Sequence, residues 1–202
     1  MGRLLGDIKT TDIVARRADL AVAQEVVLDS SVIPSGTVIN RGEVLAKYVP
    51  SDASAHVGKH RPYAEGPVTG AFSTAAKTFT LDVTVRAALQ FQPGDVIEGT
   101  DGTALGTIAT YDPATGAGTL VANSANNLAA DGTKSARLAK ANWALDLKRG
   151  MILQDECIVE GIDLPQSAFR EGFFVKSRTS LTASAISELG AVEETSNEVR
   201  IQ

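Results

Sequence analysis

The stretch that decides the fold is Arg149–Thr179, RGMILQDECIVEGIDLPQSAFREGFFVKSRT, which holds the densest apolar clustering in the chain. Short aliphatic runs occupy residues 151–153 and 157–159, breakers follow at 161–165, and the apolar pattern has resumed by 173–175. Such runs, bounded by turn residues, are typical of buried strands. We therefore expect two strands and a turn that form the core hairpin of a small β fold. The side chains expected in its core are Ile152, Leu153, Ile158 and Phe174.

The composition of the whole chain favours β structure. Its 202 residues include 18 Gly and 7 Pro but only 5% aromatic residues, which predicts many turns and short strands. An apolar content of 44% argues against disorder, and the length allows one β domain or two small ones. The net charge of −5 carries no basic stripe, so we expect no nucleic acid and no membrane among the partners.

Cysteine usage and the N-terminal residues bear on the compartment. Cys157 is the single cysteine, so no intramolecular disulfide forms, and stability must come from packing and from subunit contacts. Residues 1–12 contain too short an apolar run for a secretory signal, and no stretch of the sequence reaches the length of a membrane span. We expect a soluble protein that is made in a cytoplasm.

A second strand-rich segment lies at residues 25–49. A strand-like run at 25–28 is closed by turn residues, and two further runs, 37–39 and 43–49, flank the short link 40–42. Residues of that link tolerate left-handed backbone conformations, which predicts a tight hairpin turn. This segment and the opening stretch are both interpreted as hairpins that lack enough partners of their own.

Between these segments the pattern changes twice. Residues 50–67 lose periodicity and carry three prolines, which predicts a loop. Residues 77–86 then alternate strictly between apolar and polar side chains and form the clearest predicted strand. Four or five short antiparallel strands are expected within 78–139, with 135–139 as the closing strand. That number suits a small barrel or sandwich that folds by itself, so the middle of the chain is interpreted as an inserted domain.

The two ends of the chain carry weaker signals. Residues 1–24 are interpreted as an arm that orders on a partner, or as a frayed terminus, with 18–24 as a candidate short helix. Near the other end, residues 184–189 predict one or two helical turns that stop at Gly190, and 198–201 predict a last strand.

The motifs of catalytic and metal sites are incomplete. His56 and His60 stand four residues apart, which would suit a metal on a helix, but Gly58 and nearby prolines predict a surface loop. Residues 116–121 begin like a dinucleotide-binding fingerprint, yet they run into a strand where that motif requires a helix, so they are interpreted as a turn. We expect no metal and no cofactor.

Acidic residues and the cysteine are the remaining candidates for chemistry. Residues 101–103 and 131–133 repeat an Asp-Gly-Thr triplet that could offer carboxylates to Ca²⁺, but both lack the further acids of a calcium loop and predict hairpin turns. The acids within 155–160 could act as paired carboxylates, although alternating acids more often keep a strand edge soluble. Burial and those acids are expected to raise the pKa of Cys157 rather than activate its thiol, so we interpret Cys157 as a small core residue. We therefore do not expect an enzyme.

Four short runs outside the middle segment carry a family resemblance. Residues 25–28 (EVVL) lead to 41–47 (RGEVLAK), and residues 150–156 (GMILQDE) lead to 169–175 (FREGFFV). These runs resemble, in order, strands of the head decoration proteins of tailed bacteriophages, the lambda-like capsid stabilisers. In short members of that family a brief loop joins the second run to the third, whereas here a long segment intervenes.

The resemblance implies a fold and a domain organisation. It implies a discontinuous decoration-protein core at residues 25–67 and 146–202, an inserted β domain at 68–145, and an N-terminal capsid-binding arm at 1–24. The expected fold class is mainly β with minor helix: a β-rich core, an inserted antiparallel barrel or sandwich, and an extended arm. The opening stretch becomes one half of a split core whose other half lies at 25–49.

The resemblance also implies partners. Members of the family bind the outside of the expanded phage shell, commonly as trimers, and their arm adds main-chain hydrogen bonds to capsid strands. The implied partners are the major capsid protein of a tailed phage and further copies of this chain, with a trimer favoured and a dimer possible. The candidate capsid-binding residues of the arm are Leu4, Leu5, Ile8, Ile13 and Val14. The candidates for the subunit interface or the core are Trp143, Phe169, Phe173 and Phe174.

The expected function is therefore structural and non-enzymatic. The chain would be a capsid decoration protein on the outer surface of the virion, made in the host cytoplasm, that cements neighbouring capsid subunits. The alternative is a virion adhesion or carbohydrate-binding module that acts through the inserted β domain.

Overall fold

The computed structural model describes residues 14–16, 22–50, 54–131, 133–145, 151–189 and 191–201. The chain forms two compact units: the split unit, residues 1–45 with 146–202, and the continuous unit, residues 46–145. It is mainly β with one short α-helix among the described residues, and it contains a closed barrel, so the expected fold class is confirmed. From the sequence, the inserted domain was expected to begin after residue 67, whereas the continuous unit begins after residue 45.

The strands have the following bounds in chain order: β1 Val14–Arg16, β2 Val22–Leu28, β3 Val38–Ile39, β4 Val44–Tyr48, β5 Lys59–Pro62, β6 Glu65–Gly70, β7 Thr78–Leu81, β8 Val96–Gly99, β9 Ala104–Tyr111, β10 Ala117–Leu120, β11 Ser135–Leu138, β12 Trp143–Ala144, β13 Met151–Leu153, β14 Cys157–Ile158, β15 Leu164–Val175, β16 Val192–Thr195 and β17 Glu198–Ile201. The helix α1 spans Ala183–Glu188, and 3-10 turns span Arg86–Gln90 and Lys176–Arg178.

The long strand β15 is the centre of the split unit. It pairs antiparallel with β1, β2, β13 and β17, and β16 pairs with the far edge of β17. Phe169 of β15 lies opposite both Ile152 of β13 and Ala23 of β2. Segments that are remote in sequence therefore meet on one strand and close one core. The buried members of that core cluster are Val26, Leu28, Ile33, Ile39, Leu45, Leu153, Val159 and Ala168.

Of the two hairpins predicted for this unit, the one across residues 161–165 is confirmed for β13, which pairs antiparallel with β15. The hairpin predicted across residues 40–42 is wrong, because β4 pairs with β13 and β3 pairs with β14. The turn predicted at residues 40–42 exists, and Gly42 adopts a φ of +85° there. Its backbone N donates to Leu153 O at 2.9 Å, and Leu153 N donates to Glu43 O at 2.8 Å. The turn is thus bonded to β13, which separates β3 from β4.

The ends of the chain partly match their predictions. The helix expected within residues 18–24 is wrong for Val22–Gln24, which begin β2, and residues 17–21 lie outside the described ranges. The C-terminal helix is confirmed as α1, whose first turn is capped by the side chain of Thr182 accepting from Ala185 N at 3.1 Å. The last strand is confirmed as β17.

The continuous unit contains a closed antiparallel barrel with the strand order β10-β7-β6-β11-β8-β9 in the part of the chain that the structure describes. Three consecutive strands, β8 to β10, pair in order, and β11 returns to lie beside β8, which is a Greek key. The predicted closing strand is therefore confirmed. Among its buried side chains, Phe72 and Phe79 stack with ring centroids 4.7 Å apart.

Two predictions for this unit are wrong. Residues 50–67 are not one loop, because β5 and the start of β6 lie within them. Pro62 at the end of β5 and Pro67 inside β6 made these segments look like a loop in the sequence. The strand predicted at 77–86 ends at Leu81. Oδ1 of Asp82 accepts hydrogen bonds from Thr84 N at 2.8 Å and Thr84 Oγ1 at 2.7 Å. This local turn replaces the ladder, so the alternation continues in sequence but not in structure.

Gly116 gives a test of the barrel packing. Its φ is +71°, and a Cβ added there would stand 2.0 Å from the carbonyl oxygen of Leu81. Gly102 has a similar φ of +85° with nothing within 4 Å of an added Cβ. We expect Gly116→Ala to lower the free energy of unfolding by about 1–3 kcal/mol more than Gly102→Ala, because only the first adds overpacking to the backbone strain. Chemical unfolding of both variants checks this, and equal losses would contradict it.

Candidate functional site

The described part of the predicted arm forms a strand on the chain's own sheet. Leu4, Leu5, Ile8 and Ile13 lie outside the described residues. Val14 lies in β1, where it is placed opposite Phe174, and the pairing shifts register before Arg16. β2 begins its own pairing with β15 at Val22, opposite Glu171, so β1 and β2 add to successive parts of one strand. This part of the arm pairs through its backbone.

The aromatic candidates divide between the two units. Phe169 and Phe174 are buried in the split unit with ring centroids 5.9 Å apart. Trp143 belongs to the continuous unit, where its ring lies 5.2 Å from that of Tyr48. The side chain of Phe173 lies outside the described residues. The three described rings are therefore core side chains of this chain in the structure.

A buried ion pair of Arg61 and Asp95 lies beside Trp143 in the continuous unit. Nη2 of Arg61 donates to Oδ2 of Asp95 at 3.0 Å and to the carbonyl of Gln90 at 3.1 Å, and Nη1 pairs with Oδ1 of Asp95. Gln92 N also donates to Oδ2 of Asp95 at 2.8 Å. The guanidinium carbon lies 5.8 Å from the centroid of the Trp143 ring. The carboxylate of Asp95 thus accepts hydrogen bonds from the guanidinium and from a backbone amide, so both buried charges have partners.

The histidines occupy different environments. His60 lies in β5 and is buried, so the prediction of two surface loop histidines is wrong for it. His56 is half-buried, with its ring 5.1 Å from that of Tyr48. Within the ranges that the structure describes, no three or more His, Cys, Asp or Glu side chains are grouped so that they could hold a metal ion. None of the described helices is long and apolar enough to cross a membrane.

The acids of the repeated triplets cap turns. Oδ1 of Asp101 accepts from Thr103 N at 2.9 Å, and Oδ1 of Asp131 accepts from Thr133 N at 2.9 Å and Thr133 Oγ1 at 2.7 Å. Hydrogen bonds from the threonine side chains and then from the backbone amides hold the pKa of both carboxyl groups below its ordinary value. The predicted hairpin turn is confirmed at residues 101–103, which join the paired strands β8 and β9, and is wrong at 131–133, because the flanking strands β10 and β11 are not neighbours in the barrel.

Cys157 lies on the inner side of β14. It is half-buried and packs against the core cluster of the split unit. Burial, followed by the charge of Glu156, raises the pKa of its thiol, as predicted. The side chain is therefore a weak nucleophile near neutral pH.

The surface that the sequence did not predict is the outer face of the two-stranded sheet β3–β14, defined by Val38, Ile158, Glu156 and Glu160. Ile158 was expected in the core, but it is 53% exposed, whereas Ile152, Leu153 and Phe174 are buried as expected. A signal was present in the sequence: Glu156, Ile158 and Glu160 alternate with Cys157 and Val159. Side chains two residues apart share a face of a strand, so Ile158 points outward with the acids.

The described residues thus define a two-unit, mainly β protein with a closed Greek-key barrel and an exposed face of mixed apolar and acidic character. Comparisons with protein-family models, with curated proteins and with solved structures found no match to this chain.

Proposed function

We propose that this protein is a head decoration protein of a tailed bacteriophage. It binds the outer surface of the expanded capsid and cements neighbouring subunits of the major capsid protein. It acts as a structural, non-enzymatic component of the virion, made in the host cytoplasm, and as a homo-oligomer, with a trimer favoured. Its partners are the shell and its own copies rather than nucleic acid or membrane.

One observation carries the proposal: the runs that resemble the decoration proteins lie in strands of one sheet. Residues 25–28 lie opposite residues 164–167 of β15, the strand that also carries the fourth run. Val44 and Leu45, from the second run, lie opposite Ile152 and Met151 from the third. Ile152 in turn lies opposite Phe169, the first residue of the fourth run. The four short runs that resemble decoration-protein strands therefore contribute to one sheet, although a long segment separates the second run from the third.

The architecture also suits a cementing role in physical terms. β1 adds to the sheet through backbone hydrogen bonds, and strand addition of this kind needs little side-chain specificity. Residues 1–13 precede β1 and carry four of the five apolar anchor candidates. Several copies of such an arm on one oligomer would bind a repeating shell far more tightly than one copy, because each further contact is intramolecular.

Removing residues 1–13 is expected to abolish binding to expanded shells and leave the unfolding midpoint unchanged. Those residues precede β1, so the variant keeps every described strand. Co-sedimentation with empty expanded shells measures binding. The temperature at which the decorated shells fall apart measures cementing. The full-length chain is the control: its failure to bind shells would refute the proposed function. Unchanged binding of the truncated chain would remove only the arm from the mechanism.

A further inference from the structure

The outer face of β3–β14 presents apolar side chains to solvent. Val38 and Ile158 lie directly opposite each other across the two strands and are 47% and 53% exposed. Side chains opposite each other on an antiparallel pair have Cβ atoms roughly 4.5–5.5 Å apart, so the two form one continuous apolar surface. Among the described residues, no third strand pairs with this sheet.

The face is held in place from behind. Val159 N donates to Thr37 O at 3.0 Å, and Gly36 N donates to Val159 O at 2.7 Å, so the pairing extends past the two strands. Ile39 and Val159 point inward into the core cluster. A surface supported in this way loses little conformational freedom when a partner covers it, which favours binding.

Exposed acidic residues flank Ile158 along the chain. Glu156 and Glu160 flank Ile158 on the same side of the chain, and Asp155 and Asp163 are exposed next to them in sequence. Residues 151–169 contain no lysine or arginine. The first basic residue after β3 in the sequence is Arg41, which is half-buried. An apolar centre with a charged rim is the usual anatomy of a protein-binding surface, and the sign of the rim selects its partner.

The negative charge beside the apolar pair indicates which kind of partner can bind this face. Two copies that met through this face would bring two sets of acids together, on chains that each carry a net charge of −5. Like charges placed opposite each other in an interface cost several kcal/mol, which disfavours a second copy. We infer that the outer face docks onto the capsid shell at a site where lysines and arginines surround apolar contact residues. This inference rests on the proposed function, whose partner it specifies by chemistry.

The test uses full-length protein and empty expanded shells. Ile158→Asp is expected to weaken shell binding by about tenfold or more, because it places a charge at the centre of the contact. Glu156→Lys is expected to weaken binding several-fold and to reduce its sensitivity to salt, because an attractive rim charge becomes repulsive. Matched controls are Val121→Asp, at a 62% exposed position of the barrel unit, and Glu25→Lys, at an exposed position of β2. Both controls should bind as the unaltered chain does.

The outcomes separate the two proposals. If the unaltered chain binds shells and only the two face variants lose affinity, with unchanged unfolding midpoint and oligomeric state, the inference is supported. If the face variants bind as well as the controls, the inference is overturned while the proposed function stands. If they change the oligomeric state in sedimentation, the face contacts a second copy and the inference is equally overturned. Absence of binding by the unaltered chain would instead refute the proposed function.

Discussion

Replacement of Asp95 by alanine is expected to lower the free energy of unfolding of the continuous unit by about 3–5 kcal/mol. The carboxylate and the guanidinium of Arg61 are 6% and 2% exposed, so removal of one leaves the other as a buried, unpaired charge. The backbone N–H of Gln92 also loses its acceptor. A loss of this size is a large share of the stability of an ordinary domain.

The control for this prediction is an exposed ion pair in the split unit. Lys176 and Glu193 also pair, but their side chains are 31% and 46% exposed, so Glu193→Ala should cost less than about 1 kcal/mol. A double variant, Arg61→Met with Asp95→Leu, should recover most of the lost stability, because it leaves no buried charge. Chemical unfolding followed by Trp143 fluorescence reports on this unit. A loss at Asp95 no greater than that at Glu193 would contradict the prediction.

The second large effect is expected for Phe174→Ala, which should cost about 3–5 kcal/mol in the split unit. The ring is fully buried and lies 5.9 Å from the ring of Phe169. Its strand β15 carries the pairings with β1, β2, β13 and β17, so a cavity there removes support from the centre of the sheet. Hydrogen exchange of the amides of β15 and β17 should show the loss locally.

The same variant separates a core role from a subunit interface. If Phe174 is a core residue only, the lost stability is independent of protein concentration and the sedimentation behaviour of the folded protein is unchanged. Ile162→Ala, at a position that is 64% exposed, is the matched control and should change the free energy of unfolding by less than about 0.5 kcal/mol. A concentration-dependent midpoint for Phe174→Ala alone would contradict the core assignment and favour the interface.

Much of the local structure could be predicted from the sequence because its causes are local. The apolar runs at 151–153 and 25–28 become strands, Asp101 and Asp131 cap turns, and the helix near the C-terminus forms as α1. Each of these depends on residues within a few positions of one another. The sequence also contained enough information to predict that Ile158 lies at the surface, because Ile158 alternates with the inward-facing Cys157 and Val159.

Other features depend on partners that lie far away in sequence. Arg61 was placed in a loop because nothing near it reveals that Asp95 would neutralise it in the interior. The predicted strand at 77–86 stopped at Leu81 because the hydrogen bonds from Thr84 to Asp82 compete with the ladder, and alternation alone does not show which arrangement prevails.

The sequence by itself determined that this is a mainly β protein with a barrel or sandwich in its middle segment and a core assembled from both flanks, and the structure shows that the middle segment is a barrel. Those properties follow from composition, from two-residue periodicity and from the order of short runs. Only the tertiary structure decided which strands β3 and β4 pair with, since β3 joins β14 and β4 joins β13 although a hairpin of β3 with β4 was available. The reason is that hydrogen bonds between the turn at Gly42 and Leu153 favour pairing across the chain. That exchange places Ile158 opposite Val38 and so completes the acidic, apolar face.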